Sequence, residues 1–355
     1  MDSNGHEITV FKNQDRSAIS AAADKPLVYL DSNVWIDITE RFPEVAEQCR
    51  RLVQTDKAIF PLSFSSIDEV FQQPTVTKRL RVAALMDDLS KGFCFRPSKT
   101  IHEMEANLAL PIVLGESTAS FRREKILTWI VEFVGTMVLK FPPSWTQADA
   151  EKFHRLILDR PELRSVKWLV ERLDGNQMRI ENAGRMKRYV EGITASIKES
   201  NSHFKHLAKD VRRKQFILEE RISVVNSLIS PKMSKNLLKI VGPEKLLDAI
   251  ATISKQAGEG GKKRLDQIMK AMPSLDLNCH ILAERACNST RKVREQDFYD
   301  VEHAVVGGAY ADFFVTSDGN LFDLLTNRCS ISADRNCRVV RGVKGLEEVL
   351  GEISS

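Results

Sequence analysis

Apolar and polar positions change their rhythm along the chain. From Pro26 the texture is strand-like, with short apolar runs in "PLVYLD" (Pro26–Asp31), "AIFPLSF" (Ala58–Phe64) and "GFCFRP" (Gly92–Pro97). Between them, apolar residues recur at helical spacing from Val34 to Thr55 and from Ser66 to Leu89. Strands alternating with helices of this length predict β-α-β units and a parallel sheet. Pro61 weakens the second strand, because proline cannot donate to a ladder.

From about Lys99 to Ser274 the pattern becomes helix after helix, broken at Pro142–Pro143, Pro161, Pro231, Pro243 and the glycine-rich "GEGGKK" (Gly258–Lys263). That last stretch reads as a flexible linker. As a phosphate-binding loop it misplaces the first glycine and follows Gly261-Lys262 with Lys263 instead of Ser or Thr. The most apolar segment, Ile126–Leu139, reads as a buried helix, since it contains Glu132 and falls short of the ~20 residues a membrane span needs. After Asp276 the alternation returns. Helices are expected over 277–290 and 297–309, strands at "DFFVT" (Asp312–Thr316) and "CRVVR" (Cys337–Arg341), and a last helix in "KGLEEVLGEI". The expected architecture is one α/β domain in two halves, 25–97 and 275–355, which meet to complete one sheet. A mainly α-helical insertion, 98–274, splits it, and a flexible polar tail, 1–24, precedes it.

Composition adds little to this. With 43% apolar and 28% charged residues, the 355-residue chain has the make-up of a soluble globular protein. The N-terminus has no apolar run beside a basic flank, so no secretory leader is expected. The six cysteines form no C-x-x-C pair and read as reduced core thiols of a cytoplasmic protein without a zinc site. A net charge of +4 is too small to indicate nucleic acid, but residues 176–221 alone carry eleven Lys or Arg against six Asp or Glu. Arg185, Lys187 and Arg188, with Arg212, Arg213 and Lys214, are the densest parts and the candidate nucleic-acid contacts. A solvated face on a helical hairpin is the plainer reading of the same charges. The stripe Met178, Met186, Tyr189, Ile193, Ile197 is open to packing within the domain or to forming a homodimer.

Carboxylates carry the sharper signal. In an open parallel sheet, ligands bind beyond the carboxyl ends of the strands. Asp31 follows the first strand, Asp68 and Glu69 follow the second, and Asp318 follows "DFFVT"; Asp300, Asp297 and His303 lie on the helix before that strand. Such a gathering needs a counter-charge, and no arginine cluster accompanies these positions in the sequence. A hard divalent cation, Mg²⁺ or Mn²⁺, is the natural partner.

These stretches also resemble the motifs of PIN-domain nucleases. "VYLDSNVWIDI" is similar to the first, an Asp at a strand end followed by Ser or Thr and Asn; "SSIDEV" resembles the second. "DVEHAVVGGAYADFFVTSDGNL" resembles the third and fourth. The resemblance covers roughly residues 25–97 and 275–345 and not the helical middle. It implies a PIN-like α/β/α sandwich and an endoribonuclease in which Asp31, Glu69, Asp300 and Asp318 hold metal. Asn33 and Thr316 would support the first and last carboxylates. By their positions beside Asp300, and apart from the resemblance, Asp297 could add a second-metal ligand and His303 could face the site as a base or phosphate contact. A protein inhibitor is left open.

Each residue has a plainer reading. Asp31 suits a helix N-cap, although Ser32 or Asn33 would serve equally. Glu69 suits a first-turn acid, with Asp68 competing for its role. Asp318 suits a turn. Asp297 and Glu302 suit a solvated helix face, and His303 a packed histidine. Asp312 is read as structural, and Glu103 or Glu105 as marginal candidates to reach the cleft. Two rival functions remain: a PIN-like scaffold that binds RNA or protein without cutting, and a structure-specific DNA nuclease. A phosphatase is disfavoured because Asn33 stands where a second Asp is needed.

Overall fold

The computed structural model describes residues 7–9, 16–113, 122–130, 138–140, 146, 148–149, 152, 164–173, 175–204, 206–227, 259–288, 292–329 and 337–355. Its first half runs β1 (Glu7–Thr9), α1 (Arg16–Ala23), β2 (Val28–Leu30), α2 (Ser32–Glu40), α3 (Pro43–Gln54), α4 (Phe64–Gln72), α5 (Val76–Ser90) and β3 (Phe93–Phe95). The helical middle follows, with α6 (Ser98–Val113), β4 (Leu127–Trp129), β5 (Val138–Lys140), α7 (Val166–Arg172), α8 (Gly175–Phe204), α9 (Lys209–Ser227) and α10 (Glu259–Lys270). The chain ends in α11 (Pro273–Cys287), α12 (Gln296–His303), β6 (Phe313–Thr316), α13 (Gly319–Asp323), β7 (Arg338–Arg341) and α14 (Gly342–Ser354).

The two halves do meet in one parallel sheet. β2 pairs with β6 in register Val28↔Phe313 to Leu30↔Val315, and β6 pairs with β7. On the other side of β2 the expected second strand survives as two parallel bridges, Leu27↔Ile59 and Leu62↔Cys94. Pro61 lies between them, where a continuous ladder would need its missing N–H. Alternate residues of β2 serve opposite faces. Val28 and Leu30 pack with α2, α3, α4, α5 and α14, while Leu27 and Tyr29 pack with α1, α11 and α12. Buried apolar layers therefore cover both faces of an α/β sheet.

Several expectations are corrected. The tail is not all flexible: α1 buries Ile19, Ala22 and Ala23 in the second core layer. The helix expected over Ile126–Leu139 is, at Leu127–Trp129, a strand antiparallel to β3, with Phe93 stacked on Trp129; 131–137 lie outside the described residues. The edge of β3 offers that segment hydrogen-bond partners, and its Trp and β-branched residues suit a strand. The linker expected at Gly258–Lys263 becomes the start of α10 from Glu259 onwards. The long helices of the first half are each two, broken at Pro43 and Pro74. Of the apolar stripe on α8, Met178, Tyr189 and Ile197 pack within the chain. Among the described residues no helix is long and apolar enough to cross a membrane.

Candidate active site

From β2 the chain winds outward to β3 in one direction, then returns to place β6 and β7 on the other side of β2. The carboxyl ends of β2 and β6 therefore flank a topological switch point, the usual ligand crevice of such sheets. Asp31 follows β2 and Thr316 ends β6. The Thr316 hydroxyl donates to Asp31 Oδ2 and accepts from the Asp318 N–H at 3.0 Å. One fully buried threonine thus ties the Asp31 carboxylate to the backbone at Asp318.

Asp31 is itself the N-cap of α2, its Oδ1 accepting from Val34 N at 3.0 Å. Capping and site duties fall on different oxygens, so neither Ser32 nor Asn33 takes the cap. Burial pushes the Asp31 carboxyl up to about 6, against the pull of its hydrogen bonds. Asp318 likewise caps α13, with Oδ1 accepting from Asn320 N at 2.6 Å and Leu321 N at 2.8 Å.

Glu69 is held from three sides. His303 Nε2 lies 2.5 Å from its Oε2, Ser32 Oγ donates to the same oxygen, and Gln296 Nε2 donates to Oε1 at 3.2 Å. The other ring nitrogen of His303 meets Tyr29 Oη, which donates onward to Ser63 Oγ at 2.7 Å. With Tyr29 donating away, the short His303 contact is satisfied by an Nδ1–H, leaving Nε2–H for Glu69. That pattern fits an imidazolium. Burial opposes its charge, but Tyr29 and Glu69 outweigh burial and hold the pKa well above the ordinary value. His303 is therefore a buried partner of Glu69. The π-turn after it, Ala304–Gly308, approaches β2 so closely that a Cβ on Gly307 would lie 2.3 Å from the Tyr29 ring.

Asp300, one turn before His303, differs from the other three. Its carboxylate accepts no hydrogen bond from the described residues. Burial first and the charge of Asp318 second push its pKa up to about 7, with Arg285 and His303 opposing. Asp297 is not on a solvated face. It is buried, accepts from Arg294 N at 2.8 Å, and pairs with buried Arg285 at 3.4 Å. These partners make Asp297 a structural anchor rather than a free ligand.

Other expected roles also change. Asn33 is exposed and lines a cleft of about 580 Å³ with Asp37, Arg41 and Asp318, instead of bracing a carboxylate. Asp68 points to α8, where Arg185 donates to it at 2.7 Å. Glu302 is half-buried, and burial raises its pKa. Glu103 is exposed, and Glu105 is fully buried as the cap of α11. Asp312 is structural as expected, binding Leu27 N and Arg123, each at 2.9 Å. Of the basic candidates, Arg185 and Arg213 are engaged by Asp68 and Glu284, and Arg212 is half-buried beside Cys287. Lys187, Arg188 and Lys214 are exposed.

Arg285, Tyr29, Ser32 and Gln296 were not visible as site residues in the sequence. Ser32 alone had a signal, lying next to Asp31. The four acidic residues share one electrostatic neighbourhood, with Glu69 raising Asp31, Asp318 raising Asp300, and His303 acting on both. Among the described residues, however, no three His, Cys, Asp or Glu side chains are grouped closely enough to hold a metal ion. No family model, no curated protein and no solved structure matches the chain.

Proposed function

We propose that the chain is a divalent-metal-dependent phosphodiester hydrolase of PIN-like build, acting as an endoribonuclease. The observation that carries this reading is the state of Asp300: a half-buried carboxylate beside Asp318, at the sheet's switch point, lacking a hydrogen-bond partner among the described residues. Its oxygens and those of Asp318 are the hard donors that Mg²⁺ or Mn²⁺ takes, and a cation would relieve their repulsion. No three of these side chains stand within ligating distance of one ion, so binding would draw Asp31 or Glu69 toward Asp300 and Asp318; the ion would supply an activated water and offset phosphate charge. The chain's own residues supply the rest. Thr316 fixes Asp31 relative to Asp318, and His303 balances Glu69. Burial and Asp318 hold the Asp300 carboxyl up at about 7, and a bound cation would favour its charged form. The preference for RNA rests on the motif resemblance.

The test is cleavage of end-labelled single-stranded RNA and matched DNA with Mn²⁺, Mg²⁺ or EDTA, beside Asp300→Asn. Metal-dependent cutting of RNA, lost in the variant, is expected. Cutting that persists in EDTA or in Asp300→Asn would refute the assignment. One observation favours a second reading, an RNA- or protein-binding scaffold: Asp31 and Glu69 are already satisfied by internal partners. RNA binding in EDTA without cleavage under any metal would select it.

A further inference from the structure

The cleft beside Asp318, about 580 Å³, opens between α2 and the turn from β6 into α13. Asn33, Asp37 and Arg41 recur at four-residue spacing and form its α2 wall; Ser317, Asp318 and Asn320 form the other. The Asp37 carboxylate joins the two walls. One oxygen accepts from Ser317 Oγ at 3.2 Å and the other from Arg41 Nη1 at 3.2 Å. Asn33 and Asn320 are exposed, and their side-chain amides make no hydrogen bond with the described residues. Exposed Arg341, at the end of β7, lays its guanidinium against Gly319, another lining residue, where an added Cβ would sit 2.9 Å from Nη2. Arg341 has no hydrogen-bond or ion-pair partner among the described residues. Ile36 is the single large apolar side chain of the lining, and it is half-buried.

We infer that this cleft is a ribose-phosphate subsite that carries the RNA strand past the carboxylates, with Arg341 and Arg41 as its phosphate contacts; the inference rests on the hydrolase reading above. Asp318 sets the place. It is both a wall of the cleft and one of the carboxylates proposed to hold metal, so the part of the strand next to the scissile phosphate falls here. The lining decides which part of a nucleotide the cleft takes. Bases held without sequence readout stack on aromatic faces, and this lining has none. Sugar and phosphate oxygens accept from what the cleft does offer, two amides and two guanidinium groups, which are common holders of nucleic-acid backbones. Arg341 is uncommitted. The Arg41 side chain is 73% exposed, and a surface pair such as Arg41–Asp37 contributes so little that a phosphate can share the guanidinium.

Binding without metal separates this subsite from the chemistry. Fluorescein-labelled octauridine is titrated with the full-length protein in EDTA at several salt concentrations and read by anisotropy, for wild type, Arg341→Gln, Arg41→Gln and Arg51→Gln. Arg51, exposed on α3 and lining a separate cleft against α14, is the control. Arg341→Gln and Arg41→Gln are each expected to weaken binding several-fold at low salt and to lower the slope of log Kd against log salt by about 0.7, the share of one single-strand phosphate contact. Arg51→Gln is expected to change neither. No binding of octauridine by wild type, unchanged affinity and slope in either cleft variant, an equal loss in Arg51→Gln, or equally tight binding of a labelled octaglutamate would overturn the subsite. Metal-dependent cleavage with no such loss of binding removes the subsite and leaves the hydrolase. The expected loss of binding, without cleavage under any metal, keeps the subsite and removes the hydrolase.

Discussion

Replacing Asp300 by Asn should stabilise the protein, and by more as pH rises. In the fold, burial and Asp318 raise this carboxyl from 3.8 to about 7. A carboxyl with a raised pKa holds its proton more tightly when folded, so stability falls as pH climbs from the unfolded pKa to the folded one and levels off above it. At about 1.4 kcal/mol per tenfold change in proton affinity, the penalty is about 2 kcal/mol at pH 5 and about 4 kcal/mol at pH 8. Water reaching a half-buried group lowers both figures. Asparagine keeps the shape and cannot ionise, so it escapes the penalty. The assay is urea unfolding of both proteins in EDTA at pH 5, 6, 7 and 8. The advantage of Asp300→Asn should grow by about 1 to 3 kcal/mol between pH 5 and pH 8 and change little beyond. Groups that do not interact with Asp300 cancel in the difference, while its coupled neighbours Asp318, Asp297 and His303 titrate together with it. An advantage that is flat with pH, or a variant less stable than wild type at pH 8, would refute the electrostatic reading. Under the proposed function, Mn²⁺ should stabilise wild type and narrow the gap, because only the wild type gains a ligand-held carboxylate.

Thr316→Val should cost about 1 to 3 kcal/mol, since it leaves Asp31 Oδ2 and the Asp318 N–H without their shared partner; urea midpoints read this. Glu105→Gln should cost about the same, because an amide cannot accept from both Ser274 N and Leu275 N while also accepting from Tyr310. Gly307→Ala should destabilise by about 1 to 3 kcal/mol or more, as its Cβ would meet the Tyr29 ring at 2.3 Å and Phe314 at 2.8 Å. Gly192→Ala, with nothing within 4 Å of the added Cβ, should be neutral or stabilising by up to about 1 kcal/mol. All six thiols are buried, so a thiol reagent should label none in the native protein and all six in urea.

What was legible in the sequence depended on how local the deciding force was. The short apolar run in "PLVYLD" is written into the residues, and β2, buried on both sides, does send Val28 and Leu30 to one face and Leu27 and Tyr29 to the other. Pro61 marked the broken second strand for the same reason. The breaks at Pro43 and Pro74 were equally local, since the residue before a proline avoids the helical region, yet the apolar period running through them masked the signal. Leu127–Trp129 was not decidable locally: an apolar run reads as helix or strand until the edge of β3 supplies partners. In α1 the buried residues are mostly alanines, which barely register as an apolar stripe. At the site, Asp31, Glu69, Asp300 and Asp318 came from position relative to strands. Arg285, which neutralises Asp297, and Tyr29, which turns His303 toward Glu69, came only from the packing of distant segments.

The four carboxylates are not equivalent, and the difference bears on what the site is for. Asp31 and Asp318 are helix caps, and Glu69 is one end of a Tyr29–His303–Glu69 chain; each would have a structural reason to be present in a protein with no chemistry. Asp300 has no such reason. It caps nothing, its carboxylate accepts no hydrogen bond from the described residues, and burial and Asp318 both oppose its charge. Local rules are broken in this way mainly at functional positions, where something outside the fold completes the group. If Asp300→Asn proves more stable and equally competent in cleavage, the acidic cluster is scaffolding and the metal reading falls. If it proves more stable and inert, the stability gained and the activity lost trace to one carboxylate, and the binding energy of a cation is what compensates for that charge in the working protein.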